Sequence, residues 1–197
     1  MKDAKCAKCR SLECYYGKDC FEMAEKMLGL YGEKDRKSMR ASAEIEAGHY
    51  MEYSRVEEVM SYAEKLGFKR LGIAFCIGLR EEARLLDEIF EKRGFEVYSV
   101  CCKACGIPKS EMDLMRLHPE MEQESTCNPL GQAKILSESH TDLNVILGLC
   151  VGHDILFSKY SEAPVTTLIV KDRVLAHNPA GALYSSYYRK NRFGFDE

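Results

Sequence analysis

Four short apolar runs recur along the chain: "RLGIAFC" (70–76), "FEVYSVC" (95–101), "DLNVILGLC" (142–150) and "PVTTLIV" (164–170). Between them lie stretches with helical spacing or Pro and Gly punctuation: "LREEARLLDEIFEKRG" (79–94), "NPLGQAKILSES" (128–139) and "HDILFSKYSE" (153–162). Short apolar runs separated by amphipathic segments are the signature of parallel strands joined by helical crossovers, which are right-handed. The expected fold is therefore α/β, an open, largely parallel Rossmann-like sheet with helices on both faces. A fifth, edge strand is expected at "VLAH" (174–177). A last helix is expected at "NPAGALYSSYYRK" (178–190), with Pro just inside its start.

Upstream of the first strand, one long helix is expected from Ser42 to Leu66, or two broken near Gly48, closed by Gly67. "FEMAEKMLGLYG" (21–32) reads as a short helix and "EKDRKS" (33–38) as a polar linker. The expected division is a Cys-rich module with its helix over 1–39 and an α/β domain over 40–197.

The cysteines carry the chemistry. The chain has 197 residues, of which ten are Cys and none Trp. Cys6, Cys9, Cys14 and Cys20 fall in one run, C-x2-C-x4-C-x5-C, interleaved with Lys5, Lys8, Arg10, Lys18 and Asp19. Those charges exclude a buried apolar cluster. The N-terminus has no apolar stretch of a secretory signal, no run reaches the roughly 18 apolar residues of a membrane span, and the cytoplasm is the expected compartment. Disulfides are rare there, so the run points to metal. Four thiolates serve either a cubane iron–sulfur cluster, whose ligands crowd into one short run, or structural zinc. A 4Fe–4S cluster is the first reading and zinc the alternative.

Three of the four strand runs end in cysteine. Cys76 ends the first, Cys101 and Cys102 the second with Cys105 just beyond, and Cys150 the third. Cys127 sits just before the helix that opens at Asn128-Pro129. In an open parallel sheet the carboxyl ends of the strands form the ligand crevice. Cys76, Cys127, Cys150 and one of Cys101, Cys102 and Cys105 are thus expected to meet at one edge as a second metal site. Adjacent residues on a strand face opposite ways, so only one of Cys101 and Cys102 points inward, and Cys102 is the expected one. Helix N-termini at that edge favour an anionic cluster. Gly78, Gly148 and Gly152 are expected to let backbone approach a cofactor. His153 is a candidate ligand or proton donor, and Lys103 a candidate counter-charge. If fewer than four thiols ligate, an open position allows Lewis-acid chemistry. His49 reads as a surface or core residue of its helix, His118 as a turn residue and His140 as one at a strand entrance away from the crevice, His177 is a modest candidate at the end of the edge strand, and Tyr184, Tyr187 and Tyr188 have the spacing of a packing face.

Composition excludes other classes. About 46% of residues are apolar and 30% charged, and the formal net charge is −3, so no global field draws the chain to nucleic acid or an acidic membrane. There is no phosphate loop, nucleophile elbow or dinucleotide fingerprint. The expected partners are a redox protein or a small-molecule substrate.

The segments "GIAFCIGL", "SVCCK", "CNPLGQA", "DLNVILGLCVGHD" and "APVTTLIVKDRVLAHNP" together resemble a domain-of-unknown-function family, number eighteen forty-seven. It is usually labelled only "metal-binding protein" and is found largely in anaerobic bacteria and archaea. The resemblance covers nearly the whole chain. It implies metal binding and an anaerobic host, which favours iron–sulfur over zinc. The C-x2-C-x4-C opening and "GLCVG" are also similar to cluster-binding segments of nickel carbon monoxide dehydrogenases and hybrid-cluster proteins, whose large helical domains this chain lacks. Together these features imply an iron–sulfur protein in electron transfer or redox catalysis. The alternative is a zinc-stapled sensor, carrier or binding module.

Overall fold

The structure is a computed structural model that describes residues 4–196, so both ends of the expected domains lie partly outside the described residues. The chain divides into two compact units, 1–50 and 51–197.

In the first unit, α1 (Ala24–Leu28) is followed by α2 (Glu33–His49). The segment 33–38, expected as a linker, is the first part of α2, which also runs unbroken across the expected boundary at 39/40. The start of α2 is fixed by the Asp35 carboxylate, which accepts the Gly32 N–H at 3.1 Å and so satisfies a donor that a helix start leaves free. Upstream, residues 6–8 and 13–16 form single tight turns with no buried residue. Ala41 and Ile45 are the only buried residues among those described in this unit. Met27, Leu30, Tyr31 and Met39 line an apolar groove of about 460 Å³ that holds none of the cysteines.

The second unit holds the sheet. Helix α3 (Arg55–Leu66) begins at Ser54, whose hydroxyl and N–H both engage Glu57, and ends at Gly67 in the left-handed region. Strands β1 (Arg70–Phe75), β2 (Glu96–Cys101), β3 (Leu143–Leu147) and β4 (Val165–Ile169) pair in the order β2-β1-β3-β4, every pair parallel. The connecting helices are α4 (Arg80–Lys92), α5 (Pro129–Glu138) and α6 (His153–Tyr160). The core gathers Leu71, Ile73, Val145 and Leu147 from the two central strands with Leu86, Phe90, Leu136 and Phe157 from the helices, all buried. β3 is buried at every position, as a central parallel strand must be.

Two sequence expectations fail near the C-terminus. Residues 174–177 form a turn, not a strand. The Asp172 carboxylate accepts the N–H groups of Val174 and Leu175, both at 2.9 Å, and Ala176 and His177 take left-handed backbone. A side chain that bonds its own following amides competes with a ladder and wins here. The expected last helix is two short ones, α7 (Ala180–Tyr184) and α8 (Ser186–Asn191), because Ser185 turns extended and its hydroxyl caps α8.

The opposite ends of the sheet differ. At the amino end, the Asp142 carboxylate accepts the N–H groups of Lys69 and Arg70. Buried Asn144 accepts from the Thr141 hydroxyl and donates to Ser161. Gly72 beside it must be glycine, since a Cβ there would lie 2.0 Å from Asn144 Oδ1. At the carboxyl end sit thiols. The chain leaves β1 for β2 on one side and returns past β1 to β3 on the other. In open sheets of this kind that reversal marks the place where ligands bind, here beyond the carboxyl ends of β1 and β3.

Candidate thiolate crevice

Cys76 and Cys102 follow directly on β1 and β2. The Cys76 N–H bonds Leu147 O of β3 at 3.1 Å, and the Cys102 N–H bonds Phe75 O at 2.8 Å, so both residues extend the sheet pairing by one step. Cys127 arrives at the end of a long loop. Its neighbour Asn128 donates its N–H to Cys102 O at 2.8 Å and caps α5 by accepting the Gly131 N–H. Thr126 N–H bonds Ile107 O at 2.7 Å on the other side. The loop itself is drawn in by buried Glu124, which accepts the N–H groups of Leu117 and His118 and pairs with Lys109 at 2.7 Å. Backbone hydrogen bonds therefore fix all three cysteines in place.

The three sulfurs meet. Cys127 Sγ lies 3.8 Å from Cys102 Sγ, and Cys76 lies close enough to the same Cys102 thiol for it to lower the Cys76 thiol. Cys102 is 2% exposed, Cys76 buried and Cys127 half-buried. Hydrogen bonds to Cys127 and Cys76, with burial behind them, push the Cys102 thiol far up, so it keeps its proton. Cys76 is the opposite case: the hydrogen bond from Cys102 outweighs burial, and with the Gly78 amide and Lys171 holds it at about 4. Cys127 is likewise held at about 5, first by Cys102 against burial, then by the charges of Lys103 and His153. Two thiolates thus flank one thiol.

Cys150 lies just beyond β3 and accepts a hydrogen bond from the Arg173 guanidinium at 3.0 Å. That guanidinium is held charged first by Cys150 and also by Cys76 and Cys127, which ties Cys150 electrostatically to the trio. Cys101 closes β2 and packs against the core, while Cys105 is exposed with φ 72°. Among the described residues, no group of three or more His, Cys, Asp and Glu side chains is arranged to hold a metal ion. The donor chemistry still suits a thiophilic metal: soft sulfur, two of the three already ionised, and only the third with a proton to lose.

The other expected residues fall as follows. His153 opens α6, its N–H on Cys150 O. Lys103 donates to Ser125 O at 2.6 Å. Gly78 leaves ordinary space, since a Cβ there would meet Lys171 Nζ at 3.6 Å and Cys76 Sγ at 4.0 Å. Gly148 is needed for its positive φ of 63° and because a Cβ would come within 2.8 Å of Leu79; Gly152 needs only its φ of 88°. His177 Nδ1 accepts the Asp172 N–H, and His118 faces Glu120. Sequence reasoning missed Lys171, Arg173 and Gln132. The first two follow the fourth strand directly, and strand-end position was the signal available. Gln132 is fully buried, and its amide donates to Phe75 O, the last carbonyl of β1, and to Val100 O, one residue before the end of β2, while its Oε1 is buried without a hydrogen bond to protein.

The N-terminal cysteines are built otherwise. Cys6 and Cys14 sit in the two tight turns, and Cys6, Cys9 and Cys14 are exposed. The Leu12 N–H, with Ser11, holds the Cys9 thiol below its ordinary value. Lys18 pairs with Glu13 at 2.6 Å and is also stabilised by Cys20 and Cys9. Leu12 takes left-handed backbone and Gly17 follows at φ 94°, so the chain turns sharply at both positions.

The model of a protein family described only as of unknown function, DUF1847, matches residues 16–168. That span begins after Cys14 and ends before Lys171. An uncharacterised protein of Methanocaldococcus jannaschii, MJ0455, is 52% identical over 188 residues, covering 94% of this chain and 96% of its own length. No helix among the described residues is long and apolar enough to cross a membrane. On the family match and this relative, the chain belongs to the DUF1847 family.

Proposed function

We propose that this chain is a metal-binding protein with two thiolate centres, in the first reading iron–sulfur, that acts in electron transfer or redox catalysis. The observation that carries the reading is the closeness of Cys76, Cys102 and Cys127, which come from two strand ends and a helix start, with Cys102 and Cys127 sulfurs 3.8 Å apart. Such a trio is costly to assemble unless something uses it: two ionised sulfurs are withdrawn from water and steadied by Lys171, Lys103 and His153. Cys76, Cys102 and Cys127 would hold the crevice group, with Cys150 beside it. Cys6, Cys9, Cys14 and Cys20 would hold the other. An iron–sulfur cluster supplies one-electron transfer when bound. The chain's own residues favour the ionised form of Cys76 and Cys127, hold the sulfurs in register and set positive charge beside them. The sheet order, with right-handed crossovers, supports a Rossmann-like arrangement in which α4 lies on one face and α5 and α6 on the other.

One observation favours zinc in the crevice. A separation of 3.8 Å between Cys102 and Cys127 sulfurs matches the edge of a thiolate tetrahedron, about 3.8 Å for a Zn–S distance of about 2.3 Å. In that case the protein is a zinc-stapled carrier, sensor or binding module.

Anaerobic purification followed by iron, sulfide and zinc analysis separates the readings. The expected result is iron and sulfide, with a visible spectrum that dithionite bleaches. Cys9→Ser is expected to lose one centre and Cys127→Ser the other, each leaving its neighbour loaded. A colourless protein carrying only zinc gives the result to the alternative. A protein with neither ends the metal reading.

A further inference from the structure

The two ends of the long loop after β2 are laced together by hydrogen bonds. The Asn128 N–H donates to Cys102 O at 2.8 Å, and the Asn128 side-chain amide to Ala104 O at 3.2 Å. Lys103 Nζ donates to Ser125 O at 2.6 Å, and the Thr126 N–H to Ile107 O at 2.7 Å. Segments 102–107 and 125–128 therefore run side by side, and the Cys102 and Cys127 sulfurs touch across them at 3.8 Å. Chains joined by a main-chain hydrogen bond lie about 5 Å apart, and a disulfide spans Cα separations of about 4.4–6.8 Å. A bond between these sulfurs thus asks for side-chain rotation and leaves the main chain where it is. Other thiols of this edge are held elsewhere: Cys150 by the Arg173 guanidinium at 3.0 Å, Cys76 beside Gly78 and Lys171. Exposure grades the pair. Cys102 is buried and Cys127 half-buried, so a solute arriving from solvent reaches Cys127 first.

We propose that Cys102 and Cys127 form a reversible redox pair, in which hydrogen peroxide oxidises the two thiols to a disulfide that closes the loop over residues 103–126. The inference goes beyond the metal reading and does not rest on it, since it concerns these sulfurs when they carry no metal. The Cys127 sulfur attacks one peroxide oxygen, the O–O bond breaks, and the departing oxygen leaves as water with the proton of the thiol. Cys127 is then a sulfenic acid. The Cys102 sulfur, already in contact, displaces that hydroxyl, which leaves as a second water with the Cys102 proton. The two thiols lose two electrons, and the peroxide gains them in becoming two waters. The contact also makes the step reversible. Cys102 intercepts the sulfenic acid before more peroxide carries it to the irreversible sulfinic level, and a disulfide is returned to two thiols by exchange with a dithiol.

The test uses full-length protein, reduced, chelated and titrated anaerobically with hydrogen peroxide, then alkylated and peptide-mapped. The expected product is a peptide containing Cys102 joined to one containing Cys127, which dithiothreitol separates. Cys101→Ser is expected to keep that link. Cys102→Ser is expected to lose it and to leave Cys127 as a sulfenic acid that dimedone captures. If Cys102→Ser fails to fold, the wild-type map decides alone. Cys127 bridged to Cys76 or Cys150 overturns the proposal. So does Cys127 passing to sulfinic acid in the wild type without a bridge, or staying reduced when the exposed Cys6, Cys9 and Cys14 have all been oxidised. Metal analysis of the untreated protein keeps the two readings apart: a missing bridge leaves the metal reading standing, and missing metal leaves the redox pair standing.

Discussion

The two cysteine groups in this chain are opposite solutions to one problem. In the N-terminal run, four thiols are neighbours in sequence, three of them exposed, on a segment of tight turns with no buried residue. In the crevice, three thiols come from positions 76, 102 and 127 and meet because strands, a helix cap and a pinned loop bring them there. The first group has proximity without a scaffold; the second has a scaffold that creates the proximity. In the first, so little apolar surface is withdrawn from water that little opposes the chain entropy. Order in the second belongs to the α/β core and exists before any ligand arrives.

If that contrast is right, damage to the core separates the groups. Phe90 is fully buried and stacks edge-on with Phe95. Phe90→Ala is expected to destabilise the second unit by about 3–5 kcal/mol, the usual cost of emptying such a site. Chemical denaturation with metal analysis should show the crevice centre released at lower denaturant while the N-terminal centre is retained at its wild-type midpoint. Simultaneous loss of both centres would break the comparison.

Thiol reactivity in chelated, reduced protein sharpens it further. At neutral pH, Cys6, Cys9 and Cys14 should react with iodoacetamide first because they are exposed. Cys127, a half-buried thiolate, should follow, and Cys102, buried and protonated, should react last. Peptide mapping over time reads the order. Lowering the pH through about 5 should slow Cys127 as it takes up its proton. Cys102 reacting ahead of Cys127 would contradict the raised Cys102 and lowered Cys127 thiols.

The smallest effect concerns the loop that delivers Cys127. Lys109, with the His118 and Leu117 amides, lowers the Glu124 carboxyl from 4.5 to about 2. A carboxyl depressed by folding adds stability that is complete above its unfolded value and is lost as pH falls through its folded value. Thermal melts should therefore decline between about pH 4.5 and 2, and Glu124→Gln should flatten that decline. A variant with an unchanged acid profile would remove Glu124 from the loop's support.

Most of the scaffold was legible because its signals are local or periodic. The strand runs, the Pro129 start of α5 and the Gly67 stop of α3 announce themselves in a few residues. Segment 33–38 misled because a polar surface helix has no apolar stripe, and its signal was one carboxylate, Asp35, three residues past Gly32. Residues 174–177 misled because strand propensity in "VLAH" is weaker than the Asp172 turn that precedes it. In the crevice, the strand-end rule placed Cys76, Cys102 and Cys127 in one neighbourhood. It expected Cys150 there on the same footing, where the structure gives that thiol the Arg173 guanidinium as its partner, and it could not find Gln132, whose amide bonds carbonyls of two neighbouring strands.

The strand order also has a consequence for how copies of this protein keep apart. With β1 and β3 in the centre, β2 and β4 are left as the two borders of the sheet, each with a row of main-chain donors and acceptors that another copy's strand is able to match. The chain limits that risk by geometry. Both border strands are short, six residues and five. β2 opens with Glu96, clasped by Arg70. The pairing of β4 slips between Ile146 and Leu147, and the strand gives way at once to Lys171-Asp172-Arg173. A border only a few residues long, interrupted by a register shift and closed by charge, is a poor template for sheet-to-sheet growth.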